Sequence, residues 1–66
     1  MKIRLNGEPV DVPDGVTIEQ LLARLDVDPR RVAVEHNLTI IKRHRQAETV
    51  VNDGDEVEIV NFVGGG

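Results

Sequence analysis

Cysteine is absent from this 66-residue chain, and so are Trp and Tyr. Without cysteine no disulfide can brace the fold, no thiolate can hold a metal and no side-chain sulfur is available for thiol chemistry, a composition consistent with a cytoplasmic protein. One Phe is the only aromatic residue, so the stacking platforms that hold single-stranded nucleic acid are missing. Apolar runs extend for only a few residues, far short of the ~20 that cross a bilayer, and no signal peptide is legible. Positive charge is in deficit, 12 acidic against 8 basic side chains for a net charge of −4. That balance argues against nucleic acid or an anionic membrane as a partner. Internal repeats, linkers and low-complexity segments are also missing, apart from three closing glycines.

What is present suffices for one small core. With 39% apolar residues in 66, the chain reads as a single minimal domain over residues 1–66. Met1-Lys2-Ile3-Arg4-Leu5 alternates with period two, as a strand with one wet face does. Asn6-Gly7 is the strongest short-range hairpin signal. A two-residue turn there pairs Leu5 with Glu8, Ile3 with Val10, Lys2 with Asp11 and Met1 with Val12. Met1, Ile3, Val10 and Val12 then share one face, and the opposite charges of Lys2 and Asp11 meet on the other.

Val12-Pro13-Asp14-Gly15 has the residues of a type I turn. Thr17 and Gln20 have the spacing of a capping box, Val16 and Leu21 that of a hydrophobic staple, and Glu19 lies in the first turn where the helix dipole favours a negative charge. Ile18, Leu21, Leu22 and Leu25 form one apolar stripe. The helix is expected to end near Asp26, ahead of Pro29. Val32–His36 and Thr39–Ile41 are strand candidates around Asn37-Leu38, although Leu38 suits that turn poorly if positive φ is required. Lys42–Ala47 is read as a polar loop or one helical turn, Thr49–Val51 as a brief strand, and Asn52-Asp53-Gly54-Asp55 as a tight turn.

The last strand is expected over Glu56–Val63. Period two puts Val57, Ile59, Asn61 and Val63 on one face and Glu56, Glu58, Val60 and Phe62 on the other. Val60 and Phe62 either form an apolar docking patch beside the glycines or turn into the core through a bulge. Gly64, Gly65 and Gly66 have no side chains to pack and are expected to form a thin, flexible tail ending in an α-carboxylate. They cannot be a phosphate loop, which needs a helix N-terminus after its glycines. His36 and His44, with no third ligand, read as solvated loop or edge positions and not as a metal site. Lys42, Arg43 and Arg45 form the one basic cluster, either a solvated loop or a contact to an acidic partner surface. No base stands beside a nucleophile, so no catalytic constellation is read and the chain is expected not to be an enzyme.

The hairpin, helix and strand order, the Asp53-Gly54-Asp55 turn before the final strand, and the closing Gly65-Gly66 together resemble the β-grasp, ubiquitin-like sulfur carriers. Within them, the short Asn6-Gly7 hairpin, Val34-Glu35-His36-Asn37, and Asp53-Gly54-Asp55-Glu56-Val57-Glu58-Ile59 through Phe62-Val63-Gly64-Gly65-Gly66 are similar to the ThiS family, the sulfur carriers of thiamine thiazole synthesis. The resemblance implies an α+β fold: a mixed sheet of four to five strands around one main helix, with the first and last strands parallel neighbours at its centre. It further implies that the Gly66 carboxylate is adenylated by a ThiF-like adenylyltransferase using ATP and magnesium, with no cofactor bound by the carrier itself. Sulfur from a persulfide donor then gives a thiocarboxylate, delivered to a ThiG-like thiazole synthase. Gly64 and Gly65 thread the partner's channel, and Val60 and Phe62 are the candidate docking residues. Two other roles use the same terminus, the small subunit of molybdopterin synthase and a ubiquitin-like modifier of lysines. A plain interaction domain remains a further alternative.

Overall fold

The computed structural model describes residues 1–62. Strand β1 (Lys2–Leu5) turns through Asn6-Gly7 into β2 (Glu8–Asp11). Both turn residues have positive φ, 50° and 84°, as a two-residue turn matched to the strand twist requires. The register is the one that side-chain alternation dictates, with Lys2 opposite Asp11, Ile3 opposite Val10 and Leu5 opposite Glu8. Met1 and Val12 close the far end, exchanging backbone hydrogen bonds of 2.9 Å.

The turn before the helix falls one residue later than expected, on Asp14-Gly15. Gly15 takes its positive-φ corner, at 75°, where a Cβ would be strained. Thr17 then caps helix α1 (Ile18–Arg24). Its hydroxyl accepts from the Gln20 N–H at 3.1 Å, and the Gln20 side chain accepts from the Thr17 N–H at 2.9 Å, a complete capping box. Ile18, Leu21 and Leu22 are buried, whereas Leu25, on the same stripe, is 40% exposed because it is already the C-cap. Asp26 adopts φ 58°. The Asp26 N–H donates to the Ala23 carbonyl and the Val27 N–H to Leu22, the bond pair of a Schellman ending.

Asp28 caps a short 3₁₀ turn at Pro29–Arg31, which leads into β3 (Val32–His36) and β4 (Thr39–Ile40). Asn37 and Leu38, between them, have φ values of 50° and 71°. Leu38 therefore does occupy a left-handed corner. The polar segment contains one 3₁₀ turn, Arg43–Arg45. Thr49–Val51, expected as a strand, makes only a single bridge between Val50 and Thr17. It runs beside the start of the helix and not along a strand, so its bonds go to Val16 and Ile18. Val51 is nonetheless fully buried.

Strand β5 (Glu56–Asn61) is shorter than expected at its far end. The Phe62 N–H still continues the ladder to the Arg31 carbonyl at 2.9 Å, and Val63 lies outside the described residues. The sheet order is β2-β1-β5-β3-β4. β1 and β5 are parallel, and β5 is antiparallel to β3. β5 is thus the middle strand, reached only because the helix crosses over between β2 and β3. Ile3, Val34 and Val57 meet Ile18, Leu21, Leu22 and Val51 in one core. This five-stranded mixed sheet with one helix across a face is the β-grasp fold.

Candidate functional site

Alternation along the strands sends a second set of side chains to the face of the sheet opposite the core. Register places Arg4 beside Glu56, Glu35 beside Glu58 and Ile40, and Ala33 beside Val60. Two glutamates directly across a strand pair repel one another, so the middle of this face is built against its own stability. At the far end of β5 the character changes. Val60 and Phe62 are each 59% exposed and Ile40 68%. The alternative of a bulge that turns Phe62 into the core is therefore excluded, and β5 keeps its period to its end. Gly64, Gly65 and Gly66 lie outside the described residues.

Sequence reasoning missed Ile40 and Leu38 as members of this surface. Ile40 was legible in principle, because the Asn37-Leu38 turn forces it opposite Glu35 and hence onto the same face as Val60. Leu38, 88% exposed at the hairpin tip, gave no such signal, since a leucine in a positive-φ corner contradicts turn chemistry. The tip borders a groove of about 180 Å³ whose walls include Arg4, Glu35, Glu56 and Glu58.

His36 is not the solvated position expected of it. Its side chain is only 15% exposed, and Nε2 lies 2.7 Å from the Asp55 carboxylate, itself 15% exposed. Asp55 also accepts from the Asn52 N–H at 2.8 Å. Burial pushes the Asp55 carboxyl up, but the bonds from His36 and the Asn52 N–H outweigh it and hold the group below its ordinary value. The pair ties the end of β3 to the turn that launches β5. Asn37 adds to the clamp by accepting from the Glu56 N–H at 2.9 Å. On the other side of β5, the Asn6 amide takes the Ile59 N–H at 2.7 Å. Both polar turns thus fix where the central strand begins and how it is aimed.

A second cluster lies beside Phe62. Arg30 is held by Asp28 at 2.9 Å, and that hydrogen bond lowers the Asp28 carboxyl to about 2. Arg30, Lys42 and Arg43 line a groove of about 250 Å³ together with Val32, Ile40, Ile41 and Phe62. Among the described residues no three of His, Asp or Glu converge as a metal-ligand set. Among the described residues, too, no helix is long and apolar enough to cross a membrane.

The central strand of this β-grasp sheet ends in an exposed apolar pair, Val60 and Phe62. The family model of the ThiS family matches residues 3–66, and the chain belongs to that family. It is 43% identical over 65 residues to the sulfur carrier protein ThiS of Bacillus subtilis, covering 97% of this chain and 98% of the relative. The crystal structure of the thiamine biosynthesis protein ThiS from Geobacter metallireducens superposes with a TM-score of 0.88 at 36% identity, covering 100% of both chains. A thiazole synthase of Paramagnetospirillum magneticum is 50% identical over 66 residues, which are 100% of this chain but 20% of that protein. The chain thus spans about a fifth of the length of that relative.

Proposed function

We propose that this protein carries sulfur for thiamine thiazole synthesis as a thiocarboxylate on Gly66, acting as a co-substrate of partner enzymes and not as an enzyme itself. Membership of the ThiS family over residues 3–66, glycines included, carries the reading. The named function of the Bacillus relative supports the pathway. The thiazole synthase that contains a segment 50% identical to this chain supports that enzyme as the acceptor.

A carboxylate is a poor acyl donor because its leaving group would be oxide. In the proposed reaction a Gly66 oxygen attacks the α-phosphorus of ATP on a ThiF-like adenylyltransferase, expelling pyrophosphate and leaving an acyl-adenylate. Magnesium on that partner neutralises the phosphates. The terminal sulfur of a persulfide then attacks the acyl carbon and AMP departs. A second thiol attacks the donor's sulfur in the acyl disulfide, so that a disulfide forms between donor and thiol and the thiocarboxylate leaves. Gly64 and Gly65 contribute reach and narrowness, having no side chain to obstruct a channel.

Val60 and Phe62 supply the docking area. Large apolar side chains more than half exposed on a chain of this size mark a contact surface, and Ile40 and Ala33 extend it across β3 and β4.

Intact-mass measurement after incubation with ATP, magnesium, the adenylyltransferase and a sulfur donor tests the proposal. The expected product has one oxygen replaced by sulfur, and deletion of Gly66 abolishes it. An unchanged mass, under conditions in which the Bacillus carrier reacts, would refute the carrier role, and lysine-linked adducts would point to a modifier instead.

A further inference from the structure

Val60 and Phe62 can meet a partner in one orientation only if the strand end that carries them is held, and that end of β5 has a full neighbour on one side alone. We propose that Asn6 is a positioning residue for sulfur loading: its side-chain amide stands in for the missing strand at Ile59 and fixes the direction in which Val60 and Phe62 are presented. The role rests on the carrier reading above, which supplies the reaction.

Strand pairing leaves the gap. β1 and β5 are in register only at Arg4 with Glu56 and Leu5 with Val57. One further backbone bond runs from the Asn6 N–H to the Val57 carbonyl at 2.9 Å, and the Asn6-Gly7 turn then carries the chain away into β2. β5 continues through Asn61. On its other side β3 accompanies it from Val57 to Asn61, and the Arg31 carbonyl still takes the Phe62 N–H. Backbone groups alternate in direction along a strand: Glu56 and Phe62 bond away from β1, whereas Val57 and Ile59 bond toward Asn6. Past Val57 the β1 side of β5 is therefore an edge.

The Asn6 side chain fills one step of that edge. Its Oδ1 accepts from the Ile59 N–H at 2.7 Å and its Nδ2 donates to the Ile59 carbonyl at 3.3 Å. One primary amide thus supplies the pair of bonds that a neighbouring strand would give. Turn chemistry does not demand this amide. Asp-Gly and Gly-Gly also suit a two-residue turn of positive φ, and the φ of 50° at Asn6 is open to both Asp and Gly. Only an amide both accepts and donates, since a carboxylate accepts alone.

Ile59 is also where β5 changes character. Val57 is fully buried and Ile59 packs against the core, whereas Val60, Asn61 and Phe62 are exposed. Core packing therefore stops holding the strand at the residue that Asn6 grips. Without the amide, β5 would be held from the β1 side no further than Val57, and its end could swing about β3. A partner would then meet Val60 and Phe62 in many orientations, and the ordering lost from the free carrier would have to be made up on binding. The Gly66 carboxylate is the same group in either protein, so the loss falls on binding and not on the chemical step.

Two substitutions that keep the turn provide the test. Asn6→Gly removes both bonds, and Asn6→Asp keeps the acceptor while losing the donor. Steady-state sulfur loading of the full chain, with ATP, magnesium, the adenylyltransferase and a sulfur donor, is followed against carrier concentration well below each melting temperature. Asn6→Gly is expected to raise KM for the carrier about five-fold or more with kcat held within about two-fold, and Asn6→Asp to fall between it and wild type. Thr17→Ala, which weakens the helix cap without touching β5, controls for lost stability and is expected to leave both constants unchanged. Hydrogen exchange in the free protein is the second readout. The Phe62 amide, whose bond to Arg31 the substitution does not touch, is expected to exchange faster in Asn6→Gly relative to the Leu22 amide in the helix. An unmoved KM, an equal rise in Thr17→Ala, or a Phe62 amide that keeps its rate relative to Leu22 would each overturn the role of Asn6. Loading with an unmoved KM leaves the carrier reading standing, whereas a wild type that is not loaded at all refutes that reading and the role of Asn6 in loading with it.

Discussion

Replacing Leu38 by glycine should stabilise this protein even though it deletes a large apolar side chain. Leu38 sits at φ 71°, where an L-residue's Cβ crowds the following carbonyl at a cost of about 1–2 kcal/mol. Its side chain is 88% exposed, so truncation forfeits almost no buried area. Against the strain relief stands the extra freedom of glycine in the unfolded chain, worth about 0.5–1 kcal/mol. The difference is a gain of about 0.5–1 kcal/mol. For a chain of 66 residues with an unfolding entropy of about 2.1 cal/mol/K per residue, that corresponds to a rise of roughly 4–7 °C in Tm. The assay is thermal unfolding together with urea denaturation, and the midpoint should move without a change in m-value. Leu38→Ala is the control, because it removes the same side chain but keeps the Cβ. A glycine variant no more stable than the alanine variant would refute the idea that strain is stored at this corner. If the hairpin tip also touches a partner, the glycine variant should bind that partner more weakly while melting higher, the usual relation between local strain and function.

Thr17→Ala breaks the capping box and should cost about 1 kcal/mol, read as a shift in urea midpoint. For Asp55, the folded carboxyl sits below its ordinary value. It therefore contributes stability above the unfolded carboxylate range near ~3.9, lost as pH falls through the folded value. His36→Gln should move the Asp55 carboxyl upward in an NMR titration and flatten the acid limb of the stability curve, and an unmoved carboxyl would show that His36 does not hold it down. Val60→Asp and Phe62→Ala, both at exposed positions, should leave stability within about 0.5 kcal/mol. Sulfur loading at sub-saturating carrier should nevertheless slow several-fold, and unchanged loading would remove these two side chains from the docking surface.

Local rules written in the sequence determined each element close to its start. Asn6-Gly7 and the alternation around it set the first hairpin to the residue, because turn geometry and side-chain period independently demand one register. The Thr17-Gln20 box and the Ile18-Leu21-Leu22 stripe did the same for the helix. The period of the last strand likewise placed Val60 and Phe62 on the face away from Val57. Whether that face was covered was beyond local reach. It depended on β5 being inserted between β1 and β3, with the helix occupying only the opposite side.

The misreadings have the same origin. Thr49–Val51 has strand-like residues, but its hydrogen bonds are claimed by Val16 and Ile18 at the helix start. His36 looks solvated in the linear chain because its partner, Asp55, is 19 residues away. Sequence periodicity fixes which side of a strand a residue faces, since that is a property of consecutive backbone units. What lies opposite that side is a property of chain crossing, and only the tertiary structure decides it.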